Sequence, residues 1–219
     1  MKDASPDIET ARALVSNATL WPRVRAFLWD FAPLIHPSHL ADGRPVPADA
    51  SPRLKRMALD ALGVGPCFHD FPATDASRLL LLDAETFGSL AKWLGAVSCA
   101  DSLRRVTKGA DVRDLKAALP GVYPDVFAYT AYFSRFGRKG EAEGAAATPE
   151  GVVSGGYAQL AAILAPLPAQ LKLRLRLRLP ADAPLPDEAD APVGPPVPLE
   201  KVLLVLKLKF PEAYALCSS

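Results

Sequence analysis

Chemistry-bearing residues are scarce in this chain. It has three cysteines, three histidines and two methionines in 219 residues. Cys67, Cys99 and Cys217 are odd in number, far apart and free of any CxxC spacing, which argues against a disulfide framework and for a reducing compartment. No apolar core follows the acidic start MKDASPDIETARALV, so a secretory signal is not expected. Apolar runs are short and broken by charge, which excludes a membrane-spanning helix. There is no GxSxG around a serine and no GxxxxGK[ST] loop, so a hydrolase elbow and a phosphate loop are both missing. Charge of one sign is also lacking: the formal net charge is +1 and the sequence pI about 7.7. A nucleic-acid or membrane binder needs clustered Lys and Arg, so no dominant field of that kind is present, although a local patch remains compatible.

What is there is apolar and helical in period. Half the residues are hydrophobic, enough for a real core, and the length suits one domain or one domain with a tail. Of the 22 prolines, most of the later ones fall in PADAPLPDEADAPVGPPVP over 180–198. We therefore expect a mainly α fold: a single compact multi-helix domain over 1–219, a mobile connector at 137–151 and a Pro-rich loop at 180–198.

The periodicity centres on Ser77–Phe136. Leu82, Phe87, Leu90, Trp93 and Leu94 fit one helical stripe; Leu103, Val106, Val112, Leu115 and Leu119 fit two short helices; Val126, Phe127, Tyr129, Thr130 and Phe133 fit an aromatic helix running to Phe136. Asp83 is the expected cap of the first, Ser98 or Asp101 of the next and Asp111 of the third. Upstream, Pro6 opens a short helix, and WPRVRAFLWDFAP follows with Val24, Phe27, Leu28 and Phe31 inward and Arg23 and Arg25 solvated. Ser51-Pro52 starts a helix to Leu62 with Leu54, Met57, Ala58 and Leu62 on one side, stopped by Gly63 and Gly65. Thr148-Pro149-Glu150 starts or precedes another helix, and VSGGYAQLAAIL reads as helical in its C-terminal half.

LKLRLRLRL, 171–179, alternates strictly and so matches a half-buried strand, with VLLVLKLKF at 202–210 as its hairpin partner. Leu and Arg are nevertheless good helix formers and β-branched residues are missing from the first segment. Two helices are favoured, and a small β-hairpin is the alternative. As a helix, the first segment would be buried on two flanks or would meet a partner, with basic stripes between.

Candidate sites are few. His36 and His39 share a spacing suited to a metal, but Pro37 stands between them and no acidic or Cys ligand is near; Cys67 and His69 supply two of the four ligands a zinc ion wants. The bland reading, turns of the backbone, is preferred. No catalytic, cofactor or metal residue is therefore assigned. Arg104, Arg105 and Lys108 end one predicted helix, and Arg135, Arg138 and Lys139 end the aromatic one. Each suits a helix C-terminus; together they are the candidate partner-binding patches. The aromatic stripe is read as core and not as a stacking platform for bases.

The order of three stretches resembles a known family. These are the aromatic helix leading to LIHPSHL (34–40), LLLLDAETFGSLAKWLGAV (79–97) with Leu90, Ala91, Leu94 and Gly95 at its end, and LRRVTKGADVRDLKAALPGVYPDVFAY (103–129). Together with the Leu/Arg segment they resemble the K component of type III secretion systems, the SctK/YscK/PscK family of sorting-platform proteins. The resemblance spans most of the chain; the Pro-rich stretch looks like a variable insertion. It implies a non-catalytic cytoplasmic adaptor without cofactor, peripheral to the inner membrane through the injectisome. It implies as partners the forkhead-associated-like cytosolic domain of the inner-membrane ring component D and the pod protein Q, and indirectly the stalk protein L and the export ATPase N. No nucleic acid and no direct membrane insertion are implied. Two other classes stay open from the residues: a metal hydrolase using His36, His39, His69 and Asp70, and a helical nucleic-acid-binding regulator using the basic segment 171–179.

Overall fold

The computed structural model describes residues 20–65, 71–72, 74–123, 125–129, 148–186 and 197–217. Among these the chain is mainly α-helical and has no strand. The helices are α1 (Leu20–Trp29), α2 (Pro52–Ala61), α3 (Asp75–Arg78), α4 (Ala84–Ser98), α5 (Ala100–Arg104), α6 (Gly109–Ala118), α7 (Pro149–Leu164), α8 (Ala169–Arg178), α9 (Leu199–Lys209) and α10 (Pro211–Cys217). Single 3₁₀ turns lie at Ala32–Leu34, Pro37–His39 and Leu79–Leu81. No described helix is long and apolar enough to cross a membrane. The chain clusters into two compact units, one from 1–84, 166–183 and 215–219 and one from 85–165 and 184–214.

In the first unit α1 buries Leu20, Val24, Phe27 and Leu28, as their three- and four-residue spacing requires. Trp21 and Arg23 stay toward solvent on the same helix, half-buried and exposed respectively. Phe27 meets Phe31 and Phe71 edge to face, with ring centroids 5.8 and 6.2 Å apart. The four leucines 79–82 are all buried. They form a 3₁₀ turn and its exit, so Leu82 lies ahead of α4 and not on its stripe. Ser77 anchors this turn: Thr74 accepts from its N–H, and its own hydroxyl accepts from the N–H of Thr74, a reciprocal cap.

Both alternating segments are helices, so the hairpin alternative is set aside. Strand spacing asks for a neighbouring strand, and none exists among the described residues; Leu and Arg then follow their helical preference. In α8 the leucines at 171, 175 and 177 are buried, and so is Arg174. The expected basic stripes between two apolar flanks therefore give way to an inward pair, Arg174 and Arg178, one turn apart, while Arg176 is exposed.

In the second unit α4 and α7 cross at glycines. A Cβ on Gly95 would stand 1.8 Å from Val152 O, and one on Gly156 would stand 1.8 Å from Ala91 O. Only glycine lets two backbones approach this closely. The crossing also explains why α7 extends beyond the C-terminal half of VSGGYAQLAAIL. It starts at Pro149 under a cap in which Thr148 accepts from Gly151 N–H at 3.1 Å, and runs through both glycines. Phe87 lies on Tyr157 at 6.2 Å, beside the same crossing.

Three expected caps are different. Cys99, not Ser98 or Asp101, precedes α5; Ser98 stays inside α4 and donates its hydroxyl to Leu94 O at 2.8 Å. Lys108 precedes α6, which begins two residues before Asp111 and places that carboxylate in its first turn, where the helix dipole favours it.

Candidate functional site

The basic cluster Arg104, Arg105 and Lys108 sits on the link between α5 and α6. Leu103 is buried and fixes this link to the second unit. Arg104 follows it outward. It approaches Asp101 at 3.5 Å, one turn back, and its guanidinium lies 5.8 Å from the centre of the Phe127 ring. That ring is itself held edge-on by Tyr123 at 5.3 Å. Arg105 closes α5, and its N–H is taken by the carbonyls of Leu103 and Ser102. Its side chain is exposed, as is that of Lys108 in the extended residue before α6. Three cations within five positions thus share one exposed link, with Asp101 and Asp111 at its two ends. Guanidinium forks on such a surface suit carboxylates, and an exposed cluster acts on encounter more than on final affinity. Arg135, Arg138 and Lys139, the other predicted patch, lie outside the described residues.

The histidines are held by their own unit. His36 Nδ1 and Ser38 Oγ are 2.8 Å apart. His39 Nε2 is 2.9 Å from Leu179 O, and since a carbonyl only accepts, Nε2 carries the hydrogen there. That nitrogen is thereby used within its own unit, tying the Pro37–His39 turn to the end of α8. Among the described residues no three His, Cys, Asp or Glu side chains are grouped to hold a metal. Cys67, His69 and Asp70 lie outside them.

The arginines of α8 are structural in their geometry. Arg174 is 2% exposed. It donates to Leu28 O at 3.4 Å and Gly65 O at 3.2 Å, and its guanidinium stands 5.2 Å from the Phe31 ring centre. Arg178 donates to Leu80 O and lies 5.7 Å over Phe27. Burial lowers the Arg178 pKa to about 10, with Asp83 opposing the shift and Arg23 adding to it. Two of the cations proposed for a nucleic-acid face are thus turned to carbonyls and rings of their own unit. Arg78 is used similarly, donating to Cys217 O at 3.0 Å.

Two features have no clear sequence signal. Lys209, at the end of α9, puts its Nζ 4.4 Å from the ring centres of both Trp93 and Tyr129, and 3.3 Å from Asp125 Oδ2. The rings are mutually perpendicular, at 86°, and make an aromatic corner for the ammonium. Three distant segments meet there, so no local spacing announces it. The second is the outward apolar side of α2: Leu54 is 48% and Met57 59% exposed. Its period was legible, but period fixes a face and not what covers it.

Compared with known protein families, curated proteins and solved structures, the chain matches none.

Proposed function

We propose that the chain is a non-catalytic adaptor of a bacterial type III secretion injectisome, of the K component type. It links the cytosolic domain of ring component D to the pod protein Q, on the cytoplasmic side and peripheral to the inner membrane. The pods join it indirectly to the stalk protein L and the export ATPase N. The observation that carries this reading is the ordered run of three motif stretches, 34–40, 79–97 and 103–129, along most of the chain. Support comes from what those stretches build. The second supplies the buried leucine turn and α4, and the third supplies α5, α6 and the exposed Arg104–Lys108 link. An adaptor needs a firm helical body with charged surface for its neighbours, and this arrangement offers both.

The test is a pull-down of the full chain against the cytosolic domain of D and, separately, against Q, at about tens of micromolar. The expected result is capture by both. Combined reversal of Arg104, Arg105 and Lys108 to Glu should weaken at least one, with a stronger effect at low salt. Retained capture after reversal would keep the adaptor and discard this patch; the same reversal at Arg135, Arg138 and Lys139 would then be measured. Capture by neither D nor Q would overturn the reading.

A further inference from the structure

Helix α2 is well formed at both ends yet buries none of its ten residues. Ser51 accepts from Leu54 N–H at 3.3 Å, and Pro52 occupies the first turn. At the other end Gly63 turns with φ +67°. Its N–H donates to Asp60 O at 3.1 Å, and Val64 N–H donates to Leu59 O at 2.9 Å, a Schellman stop. One side is held to the first unit by Lys55, which donates to Asp30 at 3.0 Å and to Ala48 O at 2.6 Å. The opposite side carries Leu54, Met57 and Ala61, at i, i+3 and i+7, all exposed. A firm helix that spends its apolar side on water has the mark of an interaction surface.

The charges beside this stripe identify the occupant. Arg53 stands one turn before Met57, and Asp60 one turn after it, along the same edge. Cation and anion are thus placed almost symmetrically about Met57. A second helix of the same sequence, laid antiparallel about a two-fold axis through Met57, meets this pattern with its complement. Arg53 then faces Asp60 of the second copy, Leu54 faces the small Ala61 of the second copy, and the two Met57 side chains meet on the axis. Asp60 already accepts from Arg56 Nε at 2.9 Å, and a carboxylate has acceptor capacity left for a second guanidinium. An isologous contact requires this kind of self-complementarity. A partner of uniform charge would satisfy one end of the edge and be repelled at the other.

We infer that the outward side of α2 is a self-association surface, pairing two copies of this chain antiparallel through Leu54, Met57 and Ala61 with reciprocal Arg53–Asp60 ion pairs. The stripe from Leu54 to Ala61 is about 10 Å long at 1.5 Å per residue. Such a contact falls below the about 1,200 Å² of standard interfaces, so the association is weak and concentration-dependent. This inference does not rest on the secretion reading.

The test is sedimentation velocity of the full chain, from about 10 µM to about 500 µM at low salt, the range in which a contact of this size is populated. The expected result is a weight-average mass that climbs toward twice the monomer. Met57→Arg should hold the chain monomeric throughout, with an unchanged thermal midpoint because the side chain is exposed. Arg53→Asp and Asp60→Arg should each weaken association by about tenfold, since each turns two attractive pairs into repulsive ones. The double variant carrying both should recover it. A monomer at every concentration would overturn the inference. So would association indifferent to Met57→Arg, or a double variant no better than the single ones.

Discussion

The crossing of α4 and α7 predicts opposite outcomes for two adjacent, chemically identical substitutions. At Gly156 an added methyl would sit 1.8 Å from Ala91 O and 2.6 Å from the carbon that bears it. Both atoms are backbone, so no side chain can rotate away, and the helices must part by more than an ångström. Overpacking of this kind costs about 3 kcal/mol at its upper end. Replacing glycine by alanine inside a helix returns about 1 kcal/mol. The net for Gly156→Ala is a loss of about 2 kcal/mol, or about 4–8 °C in midpoint for a chain of this size. At Gly155 a Cβ would meet nothing within 4 Å. There only the propensity gain acts, so Gly155→Ala should raise the midpoint by about 2–4 °C. Gly95→Ala should behave like Gly156→Ala, and the double variant should cost less than the sum, because one separation of the helices relieves both clashes. Thermal denaturation followed by circular dichroism reads the midpoints, and amide exchange across Ala84–Ser98 and Pro149–Leu164 localises the effect. Shifts of the same sign at Gly155 and Gly156 would refute the reasoning.

Arg174→Ala should destabilise by about 3 kcal/mol in urea unfolding, since it empties the space beside Phe31 and leaves two carbonyls without their donor; Arg174→Met, which keeps the stem and removes a costly buried charge, should lose less than about half of that. Equal losses would mean that the packing of the stem does not matter. Lys209→Met should cost about 1–2 kcal/mol and shift Trp93 emission, whereas Lys209→Arg should retain most of the stability; an unchanged emission would remove the aromatic corner as the seat of the effect. Burial raises the Cys217 thiol from 9.0 to about 12, with Arg78 opposing and Asp75 adding. The unfolded chain therefore releases this proton first, and as pH rises above 9 the contribution of Cys217 to stability declines, by about 1.4 kcal/mol over one unit. Between pH 9 and 10, Cys217→Ala should flatten the stability profile, and in a Cys67→Ser background neither Cys99, also raised by burial, nor Cys217 should react with a thiol reagent at pH 8 before unfolding. Rapid labelling of the native chain would contradict both placements.

The sequence made some elements readable because local spacing and tertiary burial agree in them. Val24, Phe27 and Leu28 in α1, and Phe87, Leu90, Trp93 and Leu94 in α4, are inward where their period places them. Where the two levels diverge, the local signal misleads. Thr148-Pro149-Glu150 announced the start of α7, but two glycines weaken a helix taken alone, so its unbroken run through Gly155 and Gly156 stays hidden until α4 is seen to need them. Arginine is ordinarily solvated, so the inward Arg174 and Arg178 could not be read from a leucine–arginine alternation; they depend on carbonyls of Leu28, Gly65 and Leu80 far away in sequence. The caps at Asp101 and Asp111 were misplaced because α5 and α6 start earlier, after Cys99 and Lys108, neither of which makes a side-chain cap bond. Of the candidate site, Arg104, Arg105 and Lys108 were legible as a cluster, whereas the exposed side of α2 was not. A stripe of Leu54 and Met57 has the same period whether it meets a core, a second molecule or water.

The first unit is written in the chain in separate pieces, and that sets a schedule for synthesis. When residue 84 has been joined, the unit that holds α1 and the leucine turn still lacks α8, whose first residues come about 80 positions later. At about 5–20 residues per second, a ribosome needs about 4–16 s to supply it. During that interval Phe31 lacks Arg174, and Phe27 and the Leu80 carbonyl lack Arg178. The nascent chain is then a natural client for a chaperone that shields apolar segments. Synonymous changes that slow decoding between residues 85 and 165 should lower the soluble yield without altering a single residue of the finished protein.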